Sequence, residues 1–204
     1  MSETLRVVVV NGSPTIASKT MGLAGLVTAT LATMIPIEIR TVDVYRLGPG
    51  FTGATTRDEV SAEVEGKILA AETADVLVAA TPVFRASYSG MFKHFFDLVE
   101  QYALANKPVI LVATGGSDRH ALVIEHQLRP LFGFFQALTV PVGFYANAGE
   151  FDGTLVLNAE VYSRIQVGLN DVIDIFRAIA DRKSPEDRPT GAADHAPAVR
   201  ADRE

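Results

Sequence analysis

The sequence predicts an α/β fold, a three-layer sandwich in which a five-stranded parallel sheet lies between two layers of helices. Short β-branched runs alternate along the chain with longer segments whose apolar residues recur every three or four positions. Three of these runs are apolar almost throughout, as expected for strands buried on both faces of a parallel sheet. Regular alternation of strands and helices indicates parallel pairing with helices on both faces.

The predicted strands also indicate the order of the sheet. Ile37–Val44 alternates apolar with polar residues and is therefore expected at an edge, whereas the first, third and fourth strands are expected inside. Among doubly wound folds, five strands fit the flavodoxin-like order 2-1-3-4-5, in which strands two and five are the edges. The five predicted strands are Leu5–Val10, Ile37–Val44, Asp75–Thr81, Pro108–Thr114 and Leu138–Tyr145.

Five helices are predicted between and after these strands. They are Thr20–Met34, a helix through Val60, Val64 and Ile68, Ser89–Gln101, His120–Gln136, and a long final helix from Val161 to Ile179. Residues 1–182 are thus expected to form one domain. Residues 183–204 contain several prolines, mixed charge and Val199 as their only large aliphatic residue, so they are predicted to be a disordered tail.

Composition narrows the classes of function. A net charge of −6 argues against nucleic-acid binding, which depends on Lys and Arg at phosphates. The absence of cysteine excludes disulfides, iron–sulfur clusters and redox dithiols, so redox chemistry would need a bound organic cofactor. No apolar stretch reaches the roughly 18 residues of a membrane span, and the first residues lack the features of a signal peptide. We therefore expect a cytoplasmic location and no membrane association.

Three loops follow the first, third and fourth strands and are expected to converge at the switch point of the sheet, where such folds bind ligands. In the first loop, residues 12–20, the hydroxyls of Ser13, Ser18 and Thr20 lie beside the start of a helix. Free backbone N–H groups and hydroxyls there suit a phosphate. Ordinary helix capping by Ser18 or Thr20 would explain the same residues. The glycine patterns of dinucleotide-binding and nucleoside-triphosphate loops are absent.

The other two loops offer surfaces for a planar ligand. In the second, residues 81–90, a proline precedes Phe84 and Arg85, which could meet a flat ring and a negative group. Packing of Phe84 into the core is the alternative. In the third, residues 114–120, Gly115 and Gly116 allow the backbone to approach a ligand closely. Here the alternative is a flexible connection capped by Ser117 or Asp118.

Three motifs at these loops resemble the NAD(P)H-dependent FMN reductase family: GSP-x-x-x-S-K-T, TPVFRASYSGMFKHFFD and ATGGSDRHAL. The likeness runs from about Leu5 to Ile179 and is greatest to flavin reductases of two-component alkanesulfonate and methanesulfonate monooxygenase systems. It implies a flavodoxin-like enzyme with FMN as cofactor, NAD(P)H as co-substrate, and reduced flavin passed to a partner monooxygenase. Phe84 departs from the tyrosine that many members carry, which removes a hydroxyl but keeps the ring.

The resemblance also implies roles for individual residues. The phosphate would lie at the first loop, the isoalloxazine ring at the second, and its polar edge at the third. Hydride passes directly from nicotinamide to flavin, so no catalytic side chain is named. The histidines lack metal-ligand spacing, and no metal is expected. The implied cofactor-binding residues are Ser13, Ser18, Lys19, Thr20, Pro82, Val83, Phe84, Arg85, Thr114, Gly115, Gly116, Ser117 and His120.

Pro130 lies inside the predicted helix His120–Gln136 and leaves the carbonyl of His126 without its helical partner. In the reductases that this sequence resembles, the corresponding helix contains an inserted residue that forms a π-helix at a tetramer interface, and His126 is the candidate here. A simple proline kink with an exposed His126 is the alternative. The same helix has apolar residues on more than one face, which indicates a homo-oligomer, either a dimer or a tetramer.

Two other functions fit the same residues. One is a quinone, azo-dye or chromate reductase that keeps FMN bound. The other is a flavodoxin-type electron carrier without nicotinamide activity, which the mild acidity and the apolar helix disfavour. The preference for NADH or NADPH stays open, since no dinucleotide fingerprint is present.

Overall fold

The structure, a computed structural model, describes residues 4–182 and confirms the flavodoxin-like α/β fold. The sheet is parallel, with the order β2-β1-β3-β4-β5, and a further short strand, β6, also pairs with β4. The predicted tail, residues 183–204, lies outside the described residues. The strands of the sheet are β1 Leu5–Asn11, β2 Ile37–Asp43, β3 Val76–Pro82, β4 Pro108–Gly115, β5 Leu138–Thr139 and β6 Phe144–Asn147. An antiparallel hairpin follows, with β7 Phe151–Asp152 and β8 Leu155–Val156.

Helices cover both faces of this sheet. Within residues 4–182, none of them is long and apolar enough to cross a membrane. The α-helices are α1 Lys19–Met34, α2 Pro49–Thr52, α3 Ala62–Glu72, α4 Gly90–Asp97, α5 Arg129–Phe134, α6 Ala159–Asn170 and α7 Ile173–Arg182. Short 3₁₀ turns cover Val44–Arg46, Arg57–Glu59, Asp118–His120 and Ala148–Glu150, and a π-helix covers Ile124–Leu128.

Alternate residues of the inner strands divide the core into two layers. Val8 and Val10 of β1 contribute to one cluster, together with apolar residues of α3, α4 and α5. Val7 and Val9 contribute to the other, with residues of α1, α6 and α7. Since β1, β3 and β4 are buried almost throughout, the apolar runs of the sequence mark inner strands. The predicted edge position of β2 is confirmed by its exposed side chains.

The fifth predicted strand is interrupted in the structure. Residues 138–139 and 144–147 pair with β4, and Val140 still donates to the carbonyl of Val109 at 2.9 Å, while residues 141–143 leave the ladder. Pro141 has no N–H to donate to a neighbouring strand, which explains the break. Arg129 stabilises the break, because its guanidinium donates to the carbonyls of Val140 and Pro141 at 3.1 and 3.0 Å.

Three predicted helices are shorter or divided. The final helix breaks between α6 and α7 after Asn170, where Asn170 and Asp171 are weak helix formers. The helix predicted over Ser89–Gln101 ends at Asp97. Past that end, the Leu98 carbonyl accepts from Arg57 at 2.9 Å. The segment His120–Gln136 contains a 3₁₀ turn, the π-helix and α5 in succession.

Lys107 lies at the edge of the sheet opposite the three ligand loops, and its ammonium group is mostly buried. Its Nζ donates to the carbonyls of Glu72 and Ala74, the former at 2.7 Å and the latter at 2.5 Å, at the C-terminal end of α3. Burial lowers the pKa of Lys107 from its ordinary value of 10.5 to about 8.

Lys107 should therefore make stability depend on pH. Between about pH 8 and 10, the unfolded chain keeps a proton on Lys107 that the folded chain has released, so this residue raises the free energy of unfolding as pH rises. Urea unfolding of the wild type and of Lys107→Met at several pH values measures the effect. We expect the free energy of unfolding of the wild type, minus that of Lys107→Met, to increase with pH in this window. Parallel pH profiles of the two proteins would contradict the lowered pKa of Lys107.

Candidate functional site

The first loop leaves the end of β1 and reaches α1 in a conformation set by Asn11. The Asn11 side chain accepts from the backbone N–H of Ser13 at 3.0 Å and donates to Asp43 at 2.5 Å. Ser18 is the N-cap of α1, and its hydroxyl accepts from the N–H of Met21 at 3.1 Å. The capping interpretation is thus correct for Ser18, but its hydroxyl keeps one hydrogen that can be donated to a ligand.

Thr20 joins the first loop to the third. Its hydroxyl lies 2.7 Å from that of Thr114 at the end of β4, and both residues are buried. Ser13 and Ser18 are buried beside them. Four hydroxyl groups from two loops therefore form a polar floor, where a ligand with several oxygen acceptors could bind.

Lys19 places a positive charge at the same end of the site. Its Nζ donates to the carbonyl of Ala148 at 2.9 Å and lies 5.7 Å from the centroid of the Phe151 ring. The first turn of α1 contains no acidic residue, so neither the ammonium group nor the helix N-terminus is neutralised by the helix itself. An anion would therefore be favoured here.

The second loop forms a tight turn that exposes an aromatic ring. Val83 donates to the carbonyl of Thr114 at 2.7 Å, and Phe84 and Ser87 exchange backbone hydrogen bonds at 2.7 and 3.2 Å. The two residues between them, Arg85 and Ala86, have φ values of +51° and +71°, a strained conformation for residues other than glycine. The Phe84 side chain is 52% exposed, so it does not pack into the core.

The third loop is held by Tyr145 of β6. The Tyr145 hydroxyl donates to the carbonyl of Ser117 at 2.5 Å, and its burial raises its pKa to about 12. A Cβ at Gly115 would lie only 2.4 Å from that hydroxyl and about 3.0 Å from His120. Close packing against these two side chains thus favours glycine at position 115.

These loops surround one cavity of about 420 Å³. Hydroxyls and Lys19 form one end, and Pro82, Val83 and Phe84 form an apolar wall. Within residues 4–182, no Asp or Glu lines it. Ten of the implied cofactor-binding residues line the cavity: Ser13, Ser18, Lys19, Thr20, Pro82, Val83, Phe84, Thr114, Gly115 and Gly116. The remaining three, Arg85, Ser117 and His120, lie outside its lining.

Sequence reasoning missed a fourth segment at this cavity. Ala148 and Gly153, on either side of β7, line it, as do Pro14, Thr15 and Ala17 of the first loop. The Asp152-Gly153 dipeptide between apolar residues is a hairpin signal that could have revealed the β7–β8 turn. Gly153 has a φ of +56° in that turn.

The π-helix contacts the second loop. Ser87 donates to the side chain of Gln127 at 3.1 Å, so the tight turn at Phe84 is tied to this helix. His126 lies in the π-helix and its side chain is exposed. The π-helix predicted from the family resemblance is therefore present, and His126 is exposed, as the alternative of a simple proline kink had predicted. A Cβ at Gly143 would lie 2.4 Å from Ile124, so the π-helix also packs tightly against the break before β6.

Comparisons with known proteins agree with this architecture. Residues 5–152 match the family described as NADPH-dependent FMN reductase. The chain is 44% identical over 174 residues to the NADH-dependent FMN reductase SfnF of Pseudomonas putida, covering 85% of this chain and 94% of that protein. It is 38% identical to FMN reductase (NADPH) of Pseudomonas aeruginosa, covering 86% and 95%. The fold is similar to the apo form of an NADH:FMN oxidoreductase (EMOB), with a TM-score of 0.73, 30% identity, and coverage of 90% and 93%.

Proposed function

Because the chain belongs to the NADPH-dependent FMN reductase family, we propose that its cavity binds FMN and that the protein reduces FMN with NAD(P)H. The single observation that supports this most directly is the composition of the cavity. It joins a cationic, hydroxyl-rich end to an apolar wall with an exposed aromatic ring, and no carboxylate lines it within residues 4–182. A phosphate on a planar ring system has the complementary chemistry.

The phosphate end is assigned to the first loop. Ser18 and Lys19 would donate to phosphate oxygens, and the free N–H groups at the start of α1 would add to them. Ser13 and Thr20 belong to the same end. Thr20 acts with Thr114, because their hydroxyls already form a pair. The buried position of these hydroxyls keeps them in place before the ligand arrives.

The ring end is assigned to the second and third loops. Pro82, Val83 and Phe84 would contact the isoalloxazine, and Thr114, Gly115 and Gly116 would approach its polar edge and the ribityl chain. Arg85, Ser117 and His120 stay proposed neighbours of that edge. Bound FMN would supply the hydride-accepting chemistry, with NAD(P)H as the hydride donor and a proton from solvent, to give reduced flavin and NAD(P)⁺. The task of this chain is to hold both partners in position.

We further propose that FMN behaves as a substrate that leaves after reduction and is passed to a partner FMNH₂-dependent monooxygenase. The rim supports release, since Pro14, Thr15, Phe84 and Gly116 are all exposed. The π-helix supports it too, because it is tied through Gln127 to the turn that presents Phe84.

Anaerobic oxidation of NADH and of NADPH with FMN in large excess tests this function. We expect many equivalents of FMN to be reduced per protein chain. At most one equivalent, limited to flavin that co-purifies, would indicate a retained cofactor instead. Loss of reduction with both nucleotides would contradict the proposed activity itself.

We propose that the protein forms a homo-oligomer, either a dimer or a tetramer, because the segment His120–Gln136 has apolar residues on more than one face. Phe134 of α5 is 62% exposed, and such apolar residues are often covered by another subunit. Light scattering during size-exclusion chromatography would give the mass of the assembly. The cytoplasmic location stays a prediction.

Deletion of His126 should separate released from retained flavin. Removing one residue from a π-turn lets the remaining residues form a regular α-helix, so Arg129 to Phe134 can keep their places. The variant should fold, retain FMN through purification and lose turnover with free flavin. Deletion of Gly66 from the regular helix α3, away from both cavities, is the control for an arbitrary shortening, and it should destabilise the fold. A His126 deletion that is colourless and fully active would contradict the role in release.

A further inference from the structure

A second cavity of about 200 Å³ adjoins the flavin site. Arg119, His120, His126 and Gln127 form its polar side, and Val83 and Val123 are among its apolar residues. Most of these residues lie between β4 and α5, in the segment that contains the 3₁₀ turn Asp118–His120 and the π-helix. Of the residues implied by the family resemblance, Val83 and His120 line it.

The two cavities are neighbours at two points. Val83 lines both of them. The ring of His120 lies against the third loop, since a Cβ at Gly115 would be 3.1 Å from its Nδ1 and one at Gly116 would be 3.9 Å from its Cε1. A ligand that extends past Val83 and His120 can therefore occupy parts of both cavities.

The charge of the second cavity is positive. No Asp or Glu of residues 4–182 lines it. The two nearby carboxylates are engaged elsewhere: Asp118 accepts from Asn147 at 2.7 Å, and Glu125 binds Arg129 through two contacts of 2.6 and 2.8 Å. Arg119 is exposed and forms no hydrogen bond or ion pair within the described part of the chain. Its guanidinium is thus available to an anion.

We propose that this second cavity binds the diphosphate of the nicotinamide dinucleotide, with Arg119 as its main cationic partner. This inference rests on the proposed function, because it requires that the nicotinamide end enter the neighbouring flavin site. Guanidinium groups suit diphosphates, since their planar donors can bind two oxygens at once. The small volume admits the diphosphate and leaves the adenosine end outside.

Arg119→Gln tests the proposal, with Arg177→Gln as a matched control. Arg177 is likewise exposed, on α7, and its ion pair with Asp174 is at the surface. The assays use NADH and, as a phosphate-free donor, 1-benzyl-1,4-dihydronicotinamide. We expect Arg119→Gln to raise the KM for NADH about tenfold or more, as the loss of one charge-assisted contact implies. The KM for FMN and the rate with the phosphate-free donor should not change, and Arg119→Lys should recover part of the loss.

Calorimetric binding of adenosine diphosphate gives a readout that does not depend on turnover. The wild type should bind it several-fold more tightly than Arg119→Gln. Equal binding by the two proteins, or an equal loss with both hydride donors, would overturn the proposal. A changed oligomeric mass of Arg119→Gln would also overturn it, because the residue would then act at a subunit contact. Failure of the proposed function has a different signature: a wild type that reduces no FMN with either donor.

Discussion

Replacing Ser18 by Ala and Lys19 by Met together should weaken FMN binding by about a hundredfold or more and leave riboflavin binding nearly unchanged. Hydrogen bonds to a charged group contribute roughly 1.5–3 kcal/mol each, and about 1.4 kcal/mol corresponds to tenfold in affinity. Ser18 and Lys19 both line the phosphate end of the cavity, and riboflavin has no phosphate. Titration of the two flavins, followed by fluorescence, measures the ratio of their affinities.

The control for this variant lies on another helix. Ser61 caps α3 as Ser18 caps α1, and Lys67 is an exposed lysine of the same helix. Ser61→Ala with Lys67→Met loses one cap and one positive charge away from the cavity, at a stability cost of about 1 kcal/mol for the cap. It should bind both flavins normally. Equal losses of FMN and riboflavin in the Ser18 and Lys19 variant would refute the phosphate assignment.

Gly22→Ala should destabilise the protein and weaken FMN binding, whereas Gly25→Ala on the same helix should stabilise it. A Cβ at Gly22 would lie 1.9 Å from the carbonyl oxygen of Thr154, a backbone atom in the turn between β7 and β8. The hairpin must move, and overpacking of this kind costs about 1–3 kcal/mol. Since Gly153 and Ala148 line the cavity beside that hairpin, the movement also disturbs the site.

Gly25 provides the matched substitution. No atom lies within 4 Å of a Cβ built there, so alanine meets open space. Glycine inside a helix costs roughly 0.5–1 kcal/mol relative to alanine, and Gly25→Ala should gain that amount. Denaturant unfolding gives both changes in free energy. A Gly22→Ala protein as stable as the wild type would show that α1 and the hairpin are not packed in this way.

The arrangement of the strands could be predicted because burial leaves a direct mark on the sequence. The valine run of β1 and the apolar runs of β3 and β4 are buried on both faces, and the polar alternation of Ile37–Asp43 belongs to an edge. The positions of the three ligand loops could be predicted as well, since parallel strands bring their carboxyl ends to one edge of the sheet. Ten of the thirteen residues implied by the family motifs consequently line one cavity.

Other features depend on contacts between segments far apart in the chain. The end of α4 depends on Arg57, whose guanidinium binds the Leu98 carbonyl from 41 residues away. The pairing of Thr20 with Thr114 and the contact of Ser87 with Gln127 are similarly distant. The division of the fifth strand was open to prediction, because Pro141 lies within it. The three contacts between distant segments, in contrast, leave no mark on the local periodicity of apolar residues.

A crystal structure of the protein with FMN would show directly whether the cavity binds the flavin in the proposed orientation. We expect the FMN phosphate to lie within hydrogen-bond distance of Ser18 and Lys19, and the isoalloxazine ring to contact Val83, Phe84 and Gly115. Arg119 and the second cavity should be free of flavin. FMN bound with its phosphate at Arg119, or with its ring away from Phe84, would contradict the proposed binding site.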